Sequence, residues 1–369
     1  MNQKKLVYIF LVIAITLTLF LPVLNVYFAS KNIKNNVHNF TKQQLFSTDN
    51  FESLMNYFVY KTFNFSLNER QVIVGKDGFF FLGNGFGAII DKTTGTFPYN
   101  ARDIDIWTGK LKTLQDWYEK QGIQFIVVVA SNKHTIYSDK LPDKIVYKEG
   151  ENFTDVIVKQ ALDKNIHILN LKEVLREKKE DKQLYFYTDT HWNNYGAQLG
   201  YINTMQFLNN TYGQEYKIPR YTMKEEKVSG GGDLSNLLKI NKLLSTSHEK
   251  DYNFIFNEKR TISYGKITKK NGLSKCTPNV KKKFNHYTIN KKALNKEKLL
   301  YLCDSFGLVN SPLYEETFHT LWRFHISYTH GKMLTEFIKK NKPDIVIYQV
   351  IERDLGNNSI VDDFPNIVN

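Results

Sequence analysis

In two stretches of this chain, residues 105–187 and 298–350, short and continuously apolar segments alternate with amphipathic ones. "DIWTGKLKTLQDWYEKQG" has helical spacing and a stop at Gly122, and the apolar segment "IQFIVVVA" follows it. "FTDVIVKQALDKN" reads as a helix before the strand "IHIL", and "LKEVLREKK" as a helix before the strand "LYFY". "NNYGAQLGYINTMQFLNN" is a further helix, and the rhythm resumes with the strand "KLLYLC", the helix "GKMLTEFIKKN" and the strand "DIVIYQV". A strand apolar at every position must be covered on both faces, and an intervening helix returns the chain to run parallel. The pattern therefore predicts an α/β fold of three layers, with a mostly parallel sheet between two layers of helices. "VIVGKDGFFFLG" adds a hairpin around Asp77-Gly78. Residues 210–297, rich in Gly and Lys loops with a few strands, read as an insertion.

The N-terminus obeys a different rule. Leu6 to Phe28 runs for 23 residues without a charge, preceded by Lys4 and Lys5, and is long enough to cross a bilayer as a helix. A cleaved signal would have a shorter apolar region and small residues before the cut, whereas "NVYFASK" places Tyr27 or Phe28 at the −3 position. The expectation is a single-pass anchor over residues 1–29, a polar and partly helical stalk over 30–66, and one domain over 67–369. Lys4, Lys5 and the terminal amine hold the N-terminus on the cytoplasmic side. The domain is then expected outside the cytoplasmic membrane, in a periplasm or at the cell surface. Cys276 and Cys303 could pair in that compartment; a buried strand thiol at Cys303 with an unrelated Cys276 is the other reading.

The formal charge of +13 is concentrated. Residues 258–298 hold thirteen Lys or Arg against Glu258 and Glu297, and the remainder of the chain is nearly balanced. A basic stripe suggests nucleic acid first, but a domain outside the cytoplasm seldom meets it. An anionic polysaccharide or the anionic lipid surface is the expected partner, with a solvated insertion as the plain alternative.

In open parallel sheets, ligands bind at the carboxyl ends of the strands. After "IQFIVVVA" come Asn132, Lys133 and His134; after "LYFY" come Asp189 and His191. After "KLLYLC" come Asp304 and Ser305; after "DIVIYQV" come Glu352 and Arg353. A serine at a strand-to-helix junction exposes its hydroxyl where backbone N–H groups face a developing oxyanion. His191 could take the Ser305 proton, with Asp189 fixing the imidazole tautomer. The competing metal reading needs further ligands, and the other histidines show no HxxxH or HxH spacing, although His134 could reach the site.

These residues fall within blocks that resemble a known family. "GKDGFFFLG", "VVVASNKHTIYSDKLP", "TDTHWNNYGA", "GGGDLSNLL", "LYLCDSFG" and "YQVIERDL" are similar, in that order, to the signature blocks of the AlgX/AlgJ polysaccharide O-acetyltransferases, which carry an SGNH-hydrolase-like domain. The resemblance spans roughly residues 68–356, and Asp-Thr-His-Trp is its most specific part. Asp189 and His191 precede Ser305, the permuted order of that family. The resemblance implies Ser305 as nucleophile, His191 as base and Asp189 as the orienting acid. It places Lys133 and Arg353 in substrate-binding or supporting roles. It also implies a polysaccharide acceptor, a multi-spanning membrane O-acyltransferase as acetyl donor, and no metal or diffusible cofactor. Two departures stand at flanking positions: Cys303 replaces the usual Gly before Asp304, and Ala130 or Ser131 stands where Pro is usual. A polysaccharide acetylesterase and a catalytically silent polysaccharide-binding subunit are the alternative functions of the same fold.

If residues 258–298 bind a polyanion or anionic lipid, affinity should fall steeply with salt, because exposed charges are screened over about 8–10 Å at physiological ionic strength. Replacing Lys281, Lys282 and Lys283 by Gln should weaken binding to anionic polysaccharide in a titration at low salt, with the thermal unfolding curve unchanged. Binding that ignores both salt and the substitutions would leave a solvated insertion.

Overall fold

A computed structural model describes residues 3–31, 41–228, 231–244, 249–258, 262–267, 273–274, 285–356 and 361. Helix α1 (Gln3–Lys31) contains the apolar run and is long and apolar enough over Val7–Ser30 to cross a membrane. A short turn α2 (Lys42–Leu45), closed by a capping box between Thr41 and Gln44, leads into α3 (Asp49–Phe63). Strands β1 (Val72–Val74) and β2 (Phe80–Leu82) pair antiparallel as the expected hairpin. Asp77 and Gly78 both take left-handed φ values, 54° and 80°, which Asp-Gly adopts at little cost.

The layered body follows. Helices α4 (Ile89–Thr94) and α5 (Ala101–Glu119) precede β3 (Gln124–Ala130); α6 (Lys133–Ile136) and α7 (Phe153–Asp163) precede β4 (Ile168–Asn170). Next come α8 (Lys172–Lys178), α9 (Asn194–Tyr212), β5 (Tyr221–Lys227), α10 (Asp233–Leu237), β6 (Lys250–Phe256), β7 (Ile262–Lys266) and β8 (His286–Asn290). The chain closes with β9 (Asn295–Cys303), α11 (Ser305–Thr317), β10 (Phe318–His325), α12 (Gly331–Asn341) and β11 (Ile345–Ile351).

The central sheet has the order β4-β3-β11-β9-β10-β8-β7. Its first five members pair in parallel, and β8 and β7 join antiparallel at the far edge. Side-chain alternation divides each strand between two cores. Phe125, Val127 and Val129 of β3 pack with α5, α7 and α12; Ile126, Val128 and Ala130 pack with α8, α9 and α11. This is the three-layer α/β/α arrangement of an SGNH-like domain, as expected. Three helix starts have a local cause as well: Asn100, Asn152 and Asn193 cap α5, α7 and α9 by accepting backbone N–H bonds.

The structure departs from the sequence reading at three places. "LYFY" is not a strand of the sheet; Tyr185 makes one bridge to Trp192, and the carbonyl of Tyr187 is taken by Phe80 N–H at 2.8 Å. Its backbone groups bond to the hairpin, to the Tyr137 hydroxyl and to Glu249 rather than to a neighbouring strand, so the segment is a loop. Strand β10 was not anticipated, because His319, Thr320, Arg323 and His325 break the apolar run, yet most of it is buried. Within residues 210–297, β5 and β6 form a separate ribbon, while β7 and β8 extend the central sheet. Cys303 is a buried thiol whose pKa is pushed up by burial. Cys276 lies outside the described residues, as do Lys281, Lys282 and Lys283, and with Cys276 the Cys276–Cys303 pairing.

Candidate active site

Three of the expected site residues meet at the carboxyl edge of the sheet. Ser305 is the first residue of α11, directly after β9. Asp304 caps that helix: its Oδ1 accepts from Phe306 N–H at 2.9 Å, and its Oδ2 accepts from Ile351 N–H at 2.6 Å, tying the end of β9 to the end of β11. His191 Nε2 lies 2.8 Å from Ser305 Oγ, and His191 Nδ1 lies 2.7 Å from Asp189 Oδ1. The same Oδ1 accepts the backbone N–H of His191 at 2.9 Å, a local turn that the one-residue spacing of Asp189 and His191 makes possible.

With Asp189 accepting the Nδ1 proton, the neutral imidazole turns the lone pair of Nε2 toward the Ser305 hydroxyl. Burial alone would hold the Asp189 carboxyl up, but the hydrogen bond and charge of His191 outweigh it and the pKa is lowered. Burial would likewise depress His191, but Asp189, helped by the charge of Asp233, raises it above 6.5. The arrangement can move a proton from the serine and hold the resulting imidazolium.

Trp192 joins the two halves of this site. Its indole is fully buried and donates to the carbonyl of Phe306 at 3.0 Å, fixing the start of α11 against the Asp-Thr-His loop. The Phe306 ring also packs on the His191 imidazole, with centroids 4.9 Å apart.

Lys133 is buried and bonded to the loop backbone. It is 2 % exposed, and its ammonium donates to the carbonyls of Phe80 (2.7 Å), Tyr187 (2.7 Å) and Asp189 (3.2 Å). Burial lowers its pKa to about 7, offset only in part by Glu249, Asp189 and Asp233. Arg353 is half-buried beside the serine helix: Nη1 donates to Asn132 Oδ1 at 3.3 Å and the guanidinium lies 5.6 Å over the Phe306 ring. His134 is held on the hairpin side, with Nε2 2.9 Å from the Leu82 carbonyl, and does not join the cluster.

Two acids, Asp233 and Glu249, escaped the sequence reading of the site, while Glu352 was placed at the rim by it. Asp233, at the start of α10, accepts from Thr190 N–H (2.7 Å) and Thr190 Oγ1 (2.5 Å), and its own N–H donates to Asp189 Oδ2 (2.9 Å). Glu249 accepts from the N–H groups of Tyr187 and Thr188 and from the Thr188 hydroxyl. Glu352, raised by burial to about 7, accepts from Asn132 N–H and from Thr135 Oγ1. Asp233 could have been suspected from "GGGDLSNLL"; nothing near Glu249 marks it. Asp189, His191 and Asp233 are the one group among the described residues whose ligand atoms lie close enough, within 4.8 Å, to hold a metal ion. A cation taking Asp189 Oδ1 there would compete with the His191 Nδ1 hydrogen bond.

Gly232 allows this packing. A Cβ at that position would fall 2.4 Å from Asp189 Cβ and 2.7 Å from both Asp189 Oδ2 and the Thr188 carbonyl. Gly232→Ala should therefore displace Asp189. The far-downfield proton NMR signal of a carboxylate-bound imidazole Nδ1–H should be present in the native protein and lost in the variant, with the far-UV circular dichroism unchanged.

Comparison with known proteins fits this geometry. Residues 72–261 match the family model described as SGNH hydrolase-like domain, acetyltransferase AlgX. That range includes Lys133, Asp189, His191 and Asp233 and stops before Ser305. No curated protein matches the sequence. Among solved structures, Bacillus cereus PatB1 is similar over 78 % of this chain and 98 % of its own, at 18 % identity and a TM-score of 0.59. The O-acetyltransferase domain of Pseudomonas putida AlgJ is similar over 81 % and 97 %, at 15 % identity and a TM-score of 0.52. A DHHW family protein from Eubacterium siraeum is similar over 81 % and 96 %, at 14 % identity and a TM-score of 0.55. At these identities the structures speak to the fold, and the family model speaks to descent. The chain belongs to the AlgX family of SGNH hydrolase-like acetyltransferases.

Proposed function

We propose that the protein is a membrane-anchored O-acetyltransferase that moves an acetyl group, through Ser305, onto a hydroxyl of a cell-envelope or exported polysaccharide. The observation that carries this reading is the series of hydrogen bonds Asp189–His191–Ser305 at the carboxyl edge of the sheet, in a chain of this acetyltransferase family. His191 Nε2 takes the Ser305 proton as Oγ attacks the acetyl carbonyl. The imidazolium then returns that proton to the departing group of the donor, leaving acetyl-Ser305. In the second half, a sugar hydroxyl gives its proton to Nε2 and attacks the ester, and Ser305 leaves reprotonated.

The oxyanion needs donors. Phe306 N–H is spent on Asp304, so the Ser305 N–H is the backbone group we assign. Arg353 occupies the Asn132 carbonyl oxygen, which leaves the Asn132 amide nitrogen as the second. Arg353 thus supports the site through Asn132, and Lys133 through the Asp189 carbonyl. Helix α1 serves as the single-pass anchor, with the domain outside the cytoplasmic membrane, and keeps Ser305 near an acetyl donor of the membrane O-acyltransferase class. The chemistry calls on no metal or diffusible cofactor.

Ser305→Ala should abolish the covalent acetyl adduct seen by mass spectrometry after exposure to a reactive acetyl ester. His191→Ala should lower both its formation and its breakdown by orders of magnitude, and losses in double variants should be far from additive. Chelators should have no effect. Transfer that persists in Ser305→Ala would refute the acyl-enzyme. Adduct breakdown to water at an undiminished rate when a sugar acceptor is present would instead favour the esterase, and a Ser305 that never acylates would favour the silent subunit.

The pH profile gives an independent check. A base must be neutral, and His191 is held protonated more strongly than a free imidazole. The acid limb of kcat/KM should therefore have a midpoint above 6.5. Asp189→Asn removes the group that raises it, so the limb should move to lower pH while the rate falls. A limb that stays in place would assign it to another group.

A further inference from the structure

Helix α3 carries apolar side chains on both of its faces. Toward the domain, Tyr57 and Tyr60 pack on the cluster around Phe80, and two polar side chains bond to the domain beside them. Ser53 Oγ donates to the Lys239 carbonyl at 2.5 Å and Asn56 Nδ2 to the Leu238 carbonyl at 2.9 Å. Asp49 and Glu52 accept from Lys239 Nζ at 2.7 and 2.6 Å. Phe51, Met55 and Phe58, spaced i, i+4 and i+7, share the opposite stripe and are 39 %, 40 % and 55 % exposed. Single exposed apolar residues need no cause, but an aligned stripe of three does.

The neighbour of that stripe is the apolar helix α1. The rings of Phe20 and Phe51 meet edge to face, with centroids 5.7 Å apart. Asn25, the one amide within the apolar run, is 2 % exposed. It donates to the carbonyls of Leu45 (2.7 Å) and Ser47 (3.0 Å) and accepts from Asn50 Nδ2 (2.8 Å). An amide at membrane depth must be satisfied by protein. Residues 45–50 satisfy Asn25 and so share its level; the exposed charges of Asp49, Glu52 and Lys239 put that level at the headgroups, with Phe20 about 8 Å deeper along the helix.

We propose that α3 is an interfacial helix whose Phe51–Met55–Phe58 stripe lies in the outer part of the lipid bilayer, docked on the anchor through Asn25. This rests on the reading of α1 as a membrane span. The lipid is favoured over a protein occupant because the stripe is continuous with the exposed apolar surface of α1. The inward face then acts on the site: Leu238 and Lys239, which α3 grips, directly follow α10, whose first residue Asp233 holds the Asp-Thr-His loop. The membrane surface thereby fixes the height and orientation of Ser305 above the bilayer.

The test uses the full chain in vesicles of phosphatidylcholine and phosphatidylglycerol, with Cys276→Ser and the buried Cys303 retained. Nitroxide labels are placed singly at Ile13→Cys, Phe51→Cys, Met55→Cys, Phe58→Cys and Lys159→Cys, and collision with oxygen is compared with collision with a water-soluble nickel chelate. Ile13 is exposed on α1 and Lys159 on the domain. The expected result is that positions 51, 55 and 58 match position 13, favouring oxygen several-fold over position 159. If position 13 favours oxygen while 51, 55 and 58 match 159, the interfacial helix is overturned and the anchor stands. If position 13 also matches 159, the anchor fails and this inference with it. Labels at 51, 55 and 58 shielded from both reagents would mark a protein occupant, a second copy or a membrane partner, and overturn the lipid.

Discussion

One buried ammonium group organises the site. Lys133 Nζ lies within cation–π reach of the rings of Phe79 and Phe81, at 5.2 and 5.5 Å from their centroids, and binds carbonyls from the hairpin and from the Asp-Thr-His loop. A charge left unpaired at such depth would cost several kcal/mol, whereas each hydrogen bond to a charged donor contributes about 1.5–3 kcal/mol. The ammonium is therefore tolerated only if all three carbonyls stay where they are, and that requirement fixes the path of residues 187–189.

The rest of the loop is closed by acids in the same way. Glu249 takes the N–H groups at 187 and 188, Asp233 takes that at 190, and Asp189 takes that at 191. A segment without regular secondary structure thus has its buried polar groups satisfied by side chains from distant parts of the chain. The result is a rigid support for a histidine that must keep its tautomer and its distance to serine. The acids divide their work by environment: Asp189, bound to imidazole, is ionised, while Asp233, raised by burial and by the charge of Asp189, is the weaker acid.

Much of the fold was legible because three parallel strands carry continuously apolar runs, 125–130, 299–303 and 345–348. Over these runs of β3, β9 and β11 the side chains on both faces are buried, which a parallel sheet between two helix layers requires. "LYFY" has the same composition but fails as a strand, because its backbone partners are the hairpin, Lys133, Glu249 and the Tyr137 hydroxyl rather than a neighbouring strand. Strand β10 fails in the opposite direction: Arg323 and the histidines suggest exposure, yet pairing with β9 on one side and β8 on the other encloses it.

The sequence by itself determined the membrane-length helix, the layered class of the domain and the short-range Asp189–His191 contact, since each depends on residue type and local spacing. It also brought Ser305 to the correct rim, because strand ends share an edge whatever the strand order. The strand order itself, the joining of β7 and β8 to the sheet, and the roles of Asp233 and Glu249 were decided only in the tertiary structure. The two acids bond across 43 and 61 residues of sequence, and Gln124 of β3 pairs with Ile345 of β11 across still more; over such separations no periodicity records which groups will meet. Lys133 shows the same division: its position at a strand end was legible, but its burial against three carbonyls exists only once hairpin, sheet and loop have closed around it.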